Sequence, residues 1–196
     1  LRHQDYKATI ASTVDLAISD LSNPLAADLF DVCTVMSPDK IPYEFLWFFY
    51  KNLVHKAEEV ATEAEFSAVL KKVCDRSLIT AAENHAYDIH RLVQTVRRDT
   101  LLADNTASAG KNMLWIAIAT AASLFDFDLL QNLDSVRENP SRDYASLVPH
   151  CLSLAEFARE FGVEGSEELA VLQINAANYL FEVCRKGERA TKLLKE

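Results

Sequence analysis

Between residues 77 and 98 the apolar pattern changes its period, and this change limits the folds open to the chain more than any other feature. Ser77-Leu78-Ile79-Thr80 and Ala86-Tyr87-Asp88-Ile89 read as two short paired strands, joined by a polar loop around Glu83-Asn84. The second strand delivers a histidine, His90, to the first turn of a helix that continues through Thr95-Val96-Arg97-Arg98. On that helix Ile89, Leu92, Val93 and Val96 make the inward side, and His90, Arg91, Gln94, Arg97 and Arg98 make the other. A helix start offers unpaired backbone N–H groups and the positive end of the macrodipole, so it favours an anion such as phosphate. An imidazole placed there can donate a hydrogen bond to a phosphate oxygen. His90 therefore reads either as a ligand contact or as a tie between hairpin and helix. The arginines read either as an ordinary solvated face or as a local basic surface for a phosphate or an acidic partner.

Around this junction the chain is helical. Only 4 glycines and 5 prolines occur in 196 residues, with leucine and alanine throughout. Ile10, Val14, Ile18 and Leu21 recur at helical spacing, and Asn23-Pro24 is a helix start that combines a capping side chain with a first-turn proline. The stripe Leu25, Leu29, Cys33, Met36 follows, and Ser37-Pro38-Asp39 breaks it. Pro42 opens a helix carrying Phe45, Leu46, Phe48 and Phe49, a cluster that reads as core. A longer helix presents Phe66, Val69, Leu70, Val73 and Cys74. Helices, then a two-stranded wing, then a helix is a winged-helix order, assigned here to residues 1–103.

Leu101–Gly110 reads as a linker, and residues 104–196 as a helical repeat region built of antiparallel pairs. Met113–Leu130 is apolar and alanine-rich, interrupted near Asp126 and Asp128. Leu147, Cys151, Leu154, Ala158 and Phe161 mark the next helix, and Gly162 to Gly165 the turn after it. Ser166 caps a helix with Leu169, Leu172, Ala176, Leu180 and Cys184, where Ala176 and Ala177 let a neighbour approach closely. Arg185-Lys186-Gly187 ends it, and Ala190, Leu193 and Leu194 begin another. The fold class expected is mainly α: a winged helix followed by a truncated array of helical pairs.

Several chemistries are excluded. With a net charge of −9 and a pI near 5.1, no nucleic-acid footprint covers the whole surface. No apolar run reaches the roughly 18 residues of a membrane span, and the start, Leu-Arg-His-Gln-Asp, has no signal-peptide pattern and reads as cut from a longer polypeptide. Cys33, Cys74, Cys151 and Cys184 are widely spaced on apolar stripes and read as buried free thiols in a reducing cytosol. They form no metal-ligand spacing with one another or with His3, His55, His85 and His150. Ser108-Ala109-Gly110-Lys111-Asn112 lacks the first glycine and the hydroxyl residue of a phosphate-binding loop. No nucleophile–base pair stands out, so the chain is read as not an enzyme.

Arg76-Ser77-Leu78-Ile79, the wing, and Tyr87-Asp88-Ile89-His90-Arg91-Leu92-Val93-Gln94 resemble the winged-helix region that follows the NB-ARC nucleotide-binding core in STAND-class signalling ATPases. These include NOD-like and plant-resistance receptors. Ile89-His90-Arg91 lies where that family has Met-His-Asp (MHD), with Arg91 departing from the usual aspartate. Ser37-Pro38-Asp39-Lys40-Ile41-Pro42 and Tyr144–His150 fit the same pattern. Leu172–Leu180 through Ala190–Leu194 resembles a first tetratricopeptide (TPR) unit. The resemblance implies a regulatory and sensor fragment for signal transduction in the cytoplasm, as in innate immunity. In the family the motif histidine contacts the β-phosphate of ADP held by the neighbouring core. His90 takes that role here, and Arg91 a weaker one. ADP or ATP belongs to that upstream domain, which is the first partner; a protein or ligand on the repeats is the second. Two other classes stay open: a helical scaffold without a nucleotide role, and a DNA-binding winged helix using Arg91, Arg97 and Arg98, against which Asp88 and Asp99 argue.

Overall fold

The computed structural model describes residues 2–56, 60–103, 108–125, 144–163, 165–184 and 193. Among these are eight helices and one small three-stranded sheet. Helix α1 (Arg2–Ser19) leads into α2 (Pro24–Val35), whose start is as the sequence predicts: the Asn23 side chain accepts from the Leu25 N–H at 2.9 Å and Pro24 occupies the first turn. Every residue from Leu29 to Met36 is buried. A helix apolar all round belongs at the centre, and α2 packs against helices from both halves of the chain.

Strand β1 (Ile41–Pro42) precedes α3 (Tyr43–Lys56) and α4 (Glu63–Asp75), and the hairpin β2 (Thr80–Ala82) and β3 (Ala86–Asp88) leads to α5 (Arg91–Ala103). The sheet order is β1-β3-β2, antiparallel throughout, with Ile41 opposite Tyr87 and Thr80 opposite Asp88. Two points differ from the sequence reading. Ile41-Pro42 is a strand edge rather than a helix opening. The first hairpin strand begins at Thr80, not Ser77. The cause is the end of α4: Ser77 takes φ +56°, its N–H donates to Cys74 O at 2.8 Å, and the Leu78 N–H reaches back to Val73 O. This double closure uses Ser77 where a glycine is usual and buries Leu78 and Ile79 in succession, which an alternating strand cannot do. The start of α4 carries a capping box, Thr62 with Glu65, that the sequence reading passed over.

Phe45, Leu46 and Phe49 are buried on α3 as expected, whereas Phe48 is only half-buried with Lys51 Nζ 4.4 Å from its ring centre, and Phe66 of α4 lies against Tyr43, Trp47 and Tyr50 at ring distances of 5.2–5.3 Å.

Helix α6 (Ser108–Leu124) packs on both α2 and α3, and on α7 (Tyr144–Glu160) and α8 (Glu167–Glu182). One hydrophobic core runs continuously across the 103/104 boundary. Of the expected linker, Leu101–Ala103 belong to α5 and Ser108–Gly110 to α6, and residues 104–107 lie outside the described residues. Gly110 is there for packing: a Cβ would stand 3.2 Å from Phe161 Cζ. Gly162, at φ +65°, closes α7, and the Ser166 hydroxyl caps α8 from 2.9 Å. Asp126, Asp128, Leu130, Arg185-Lys186-Gly187, Ala190 and Leu194 lie outside the described residues, whereas Leu193 is buried in the core. Cys33 and Cys151 are buried free thiols, and Cys74 and Cys184 are half-buried. Burial pushes the Cys151 thiol up to about 12. No described helix is long and apolar enough to cross a membrane, and no described cluster of His, Cys, Asp and Glu could hold a metal ion.

Candidate functional site at the hairpin–helix junction

Ile89 fixes the junction. Its side chain is buried and its N–H donates to Pro38 O at 2.9 Å, so the chain must turn outward immediately afterwards. His90 is therefore exposed, at the cap position of α5 rather than inside its first turn. Its carbonyl accepts the first helical bond, from Gln94 N–H at 3.0 Å, and its ring Nδ1 accepts from the Leu92 N–H at 3.2 Å. An imidazole whose Nδ1 accepts carries its proton on Nε2 when neutral. Among the described residues that N–H has no acceptor. The N–H groups of Arg91 and Val93 precede the first helical bond and share the positive end of the helix.

Arg91 is exposed beside His90 and pairs with Asp39 at 3.2 Å. Both side chains are mostly in water, so this pair is weakly held and free to exchange partners. The turn on the other flank, Ser37–Lys40, is drawn against the junction by Asp88, whose Oδ1 accepts from the Lys40 N–H at 2.7 Å.

The rest of the basic face is not a surface. Gln94 is buried and donates to Met36 O at 2.7 Å. Arg97 makes a two-pronged pair with Asp31 of α2 at 2.7 and 2.8 Å, largely shielded from water. Burial raises the Asp31 carboxyl above its ordinary range even though the Arg97 bonds pull it down. The Arg98 guanidinium donates to Thr34 O, Met36 O and Ser153 Oγ and lies 5.6 Å from the centre of the Phe157 ring. It thus closes the carbonyl end of α2, where a cation is favoured, and draws α7 onto it. Of the residues placed on the outward side of α5, the structure leaves His90 and Arg91 together in solvent, buries Gln94, and holds the half-buried Arg97 and Arg98 in bonds to α2 and α7.

Asp31, Asp39, Ser153 and His150 are the participants that sequence reasoning missed. Asp31 had a signal, being the one acid within the buried stretch of α2. His150 carries no such signal in the sequence: it is buried in α7 with Nε2 3.1 Å from Lys40 O, and burial lowers its imidazole to about 4.

Residues 16–106, which include the whole junction, match a protein family described as a domain of unknown function (DUF7779). Comparison with curated proteins finds no match, and comparison with solved structures finds none either.

Proposed function

We propose that this chain is the regulatory and sensor part of a STAND-class NTPase, acting in the cytoplasm, in which a winged helix closes on an ADP-bound core through His90 and the helices beyond it bind a ligand or partner. The observation that carries this reading is the His90 ring: exposed at a helix start, with Nδ1 bonded to the backbone and the Nε2 edge left for an acceptor. Two further features support it. The order helix, strand, helix, helix, strand, strand, with the last strand central, suits a winged helix. The mutually packed helices α6, α7 and α8, with Ala176 and Ala177 buried, suit the first units of a TPR-like array. A phosphate bound at His90 and the α5 start is bound in one conformation only, so exchange of ADP for ATP biases a two-state element.

In the polypeptide that carries this chain behind its nucleotide-binding core, His90→Ala raises the ADP off-rate about tenfold, as expected for a lost hydrogen bond to a charged group. An unchanged off-rate overturns the reading.

A scaffold without a nucleotide role draws on a different observation: Val171, Ile174 and Phe181 of α8 are exposed along one side. That reading expects partner binding to fail on Phe181→Asp and to be indifferent to His90. The DNA-binding alternative loses two of its three arginines, since the half-buried Arg97 and Arg98 are engaged by α2 and α7, and α4, which precedes the hairpin, begins with Glu63 and Glu65.

A further inference from the structure

Lys40 stands in a backbone conformation that its own side chain does not justify. Its φ is +57°, in the left-handed region that is unfavourable for a residue with a Cβ, and its side chain is exposed. Both of its backbone polar groups are held from outside. The N–H donates to Asp88 Oδ1 at 2.7 Å, and the carbonyl accepts from His150 Nε2 at 3.1 Å. Asp88 ends β3, two residues ahead of His90, while His150 lies on α7. The two preceding residues are tied to the same junction: Pro38 O accepts the Ile89 N–H at 2.9 Å, and Asp39 pairs with Arg91 at 3.2 Å. His150 spends its ring on this contact, since its buried Nδ1 has no hydrogen-bond partner. Donation from Nε2 leaves Nδ1 as a bare lone pair in an apolar setting, a cost accepted only where the other nitrogen is well used.

We propose that Pro38–Lys40 is a strap that couples helix α7 to the His90 junction, with the strained Lys40 peptide clamped between Asp88 on one side and His150 on the other. A strained residue persists only while its surroundings over-determine it, so release of either clamp lets Lys40 relax and loosens the other. The coupling is reciprocal by thermodynamic necessity. Through it, a rearrangement of α7 shifts the position of the helix start that carries His90, and an event at that start is felt in α7. The strap belongs to this chain alone and stands whatever His90 contacts.

Two variants of the 196-residue chain approach the strap from opposite ends. His150→Phe keeps a ring and removes the donor; Asp88→Ala removes the acceptor. In His150→Phe, amide exchange at Lys40 and Ile89 accelerates about tenfold, within the range of inter-site coupling, while amides of α4 change by less than about twofold, as a separately protected unit does. In Asp88→Ala, a surface-side change that tests the strap even where His150→Phe fails to fold, the His150 Nε2 proton exchanges with water about tenfold faster by the same reciprocity. Unchanged exchange at the far end overturns the strap, and so does an equal rise at every amide, which reports global opening. No nucleotide enters either measurement, so a failed strap and a failed phosphate contact at His90 are told apart.

Discussion

Arg91 and Arg97 stand on the same helix with the same charge, and the molecule uses them in opposite ways. Arg91, at the start of α5, faces water and meets Asp39 through an exposed pair with side-chain exposures of 78% and 65%. Arg97, further along, holds Asp31 with exposures of 17% and 12%. The difference lies in the neighbours. At the start of α5 His90 and Arg91 are exposed, whereas the second half of the helix reaches the carbonyl end of α2 through Arg97 and Arg98 and reaches α7 through Arg98. A charge that reaches an uncovered helix start remains available to a ligand. A charge shielded against a neighbouring helix and paired there becomes part of the architecture, because a buried ion left unpaired is costly.

This contrast can be broken most directly at Arg97. Arg97→Ala leaves Asp31 buried and unpaired and is expected to destabilise the fold by about 3 kcal/mol in denaturant unfolding. The double change Asp31→Leu with Arg97→Met should restore most of that, and a single-variant loss under about 1 kcal/mol, the size of an exposed pair, makes the two arginines equivalent. The second effect concerns His150, on the α7 side. Its imidazole takes up a proton near 6.5 when unfolded and near 4 when folded. Between those values the unfolded state binds more protons, so this contribution is complete above pH 6.5 and falls away as the solution is acidified toward 4. Relative to His150→Phe, the native chain should lose up to about 3 kcal/mol over that window, measured as unfolding free energy against pH. Parallel curves for the two proteins refute it.

Arg98→Ala removes three donations to the α2 end and α7 and should cost about 2 kcal/mol, with Arg98→Lys a poor rescue because it lacks the planar fork. The smallest effects sharpen the comparison from the other end. Arg91→Ala should change stability by less than about 0.5 kcal/mol. His90→Asp, which keeps a capping acceptor and places a negative charge where a phosphate is proposed, should leave stability within about 0.5 kcal/mol. Thermal unfolding of both variants checks this, and a large loss at either position makes the junction structural rather than receptive.

Much of the fold was readable in advance. The Asn23-Pro24 start, the Phe45 and Phe49 core, the hairpin before His90 and the Ser166 cap all follow from local signals, because capping and apolar spacing act within a few residues. The Ser77 closure was not readable: serine is uncommon in the left-handed position, so Leu78-Ile79 passed for strand. Ile41-Pro42 was hidden because a two-residue strand has no period. At the site, His90 was legible from the change of period that precedes it, but its place as cap rather than first-turn residue was decided by Ile89 donating to Pro38 O. The commitment of Gln94, Arg97 and Arg98 was illegible, since their partners lie 55 to 66 residues away.

Helical class, the position of the hairpin and the presence of a histidine at a helix start were properties of the sequence itself, written in spacings short enough for a chain to express locally. Which basic residues would face solvent, and that Lys40 would be gripped by Asp88 and His150, depended on which helices came to cover which. Burial is a relation between distant segments, and it decides whether a charge is a surface or a bond.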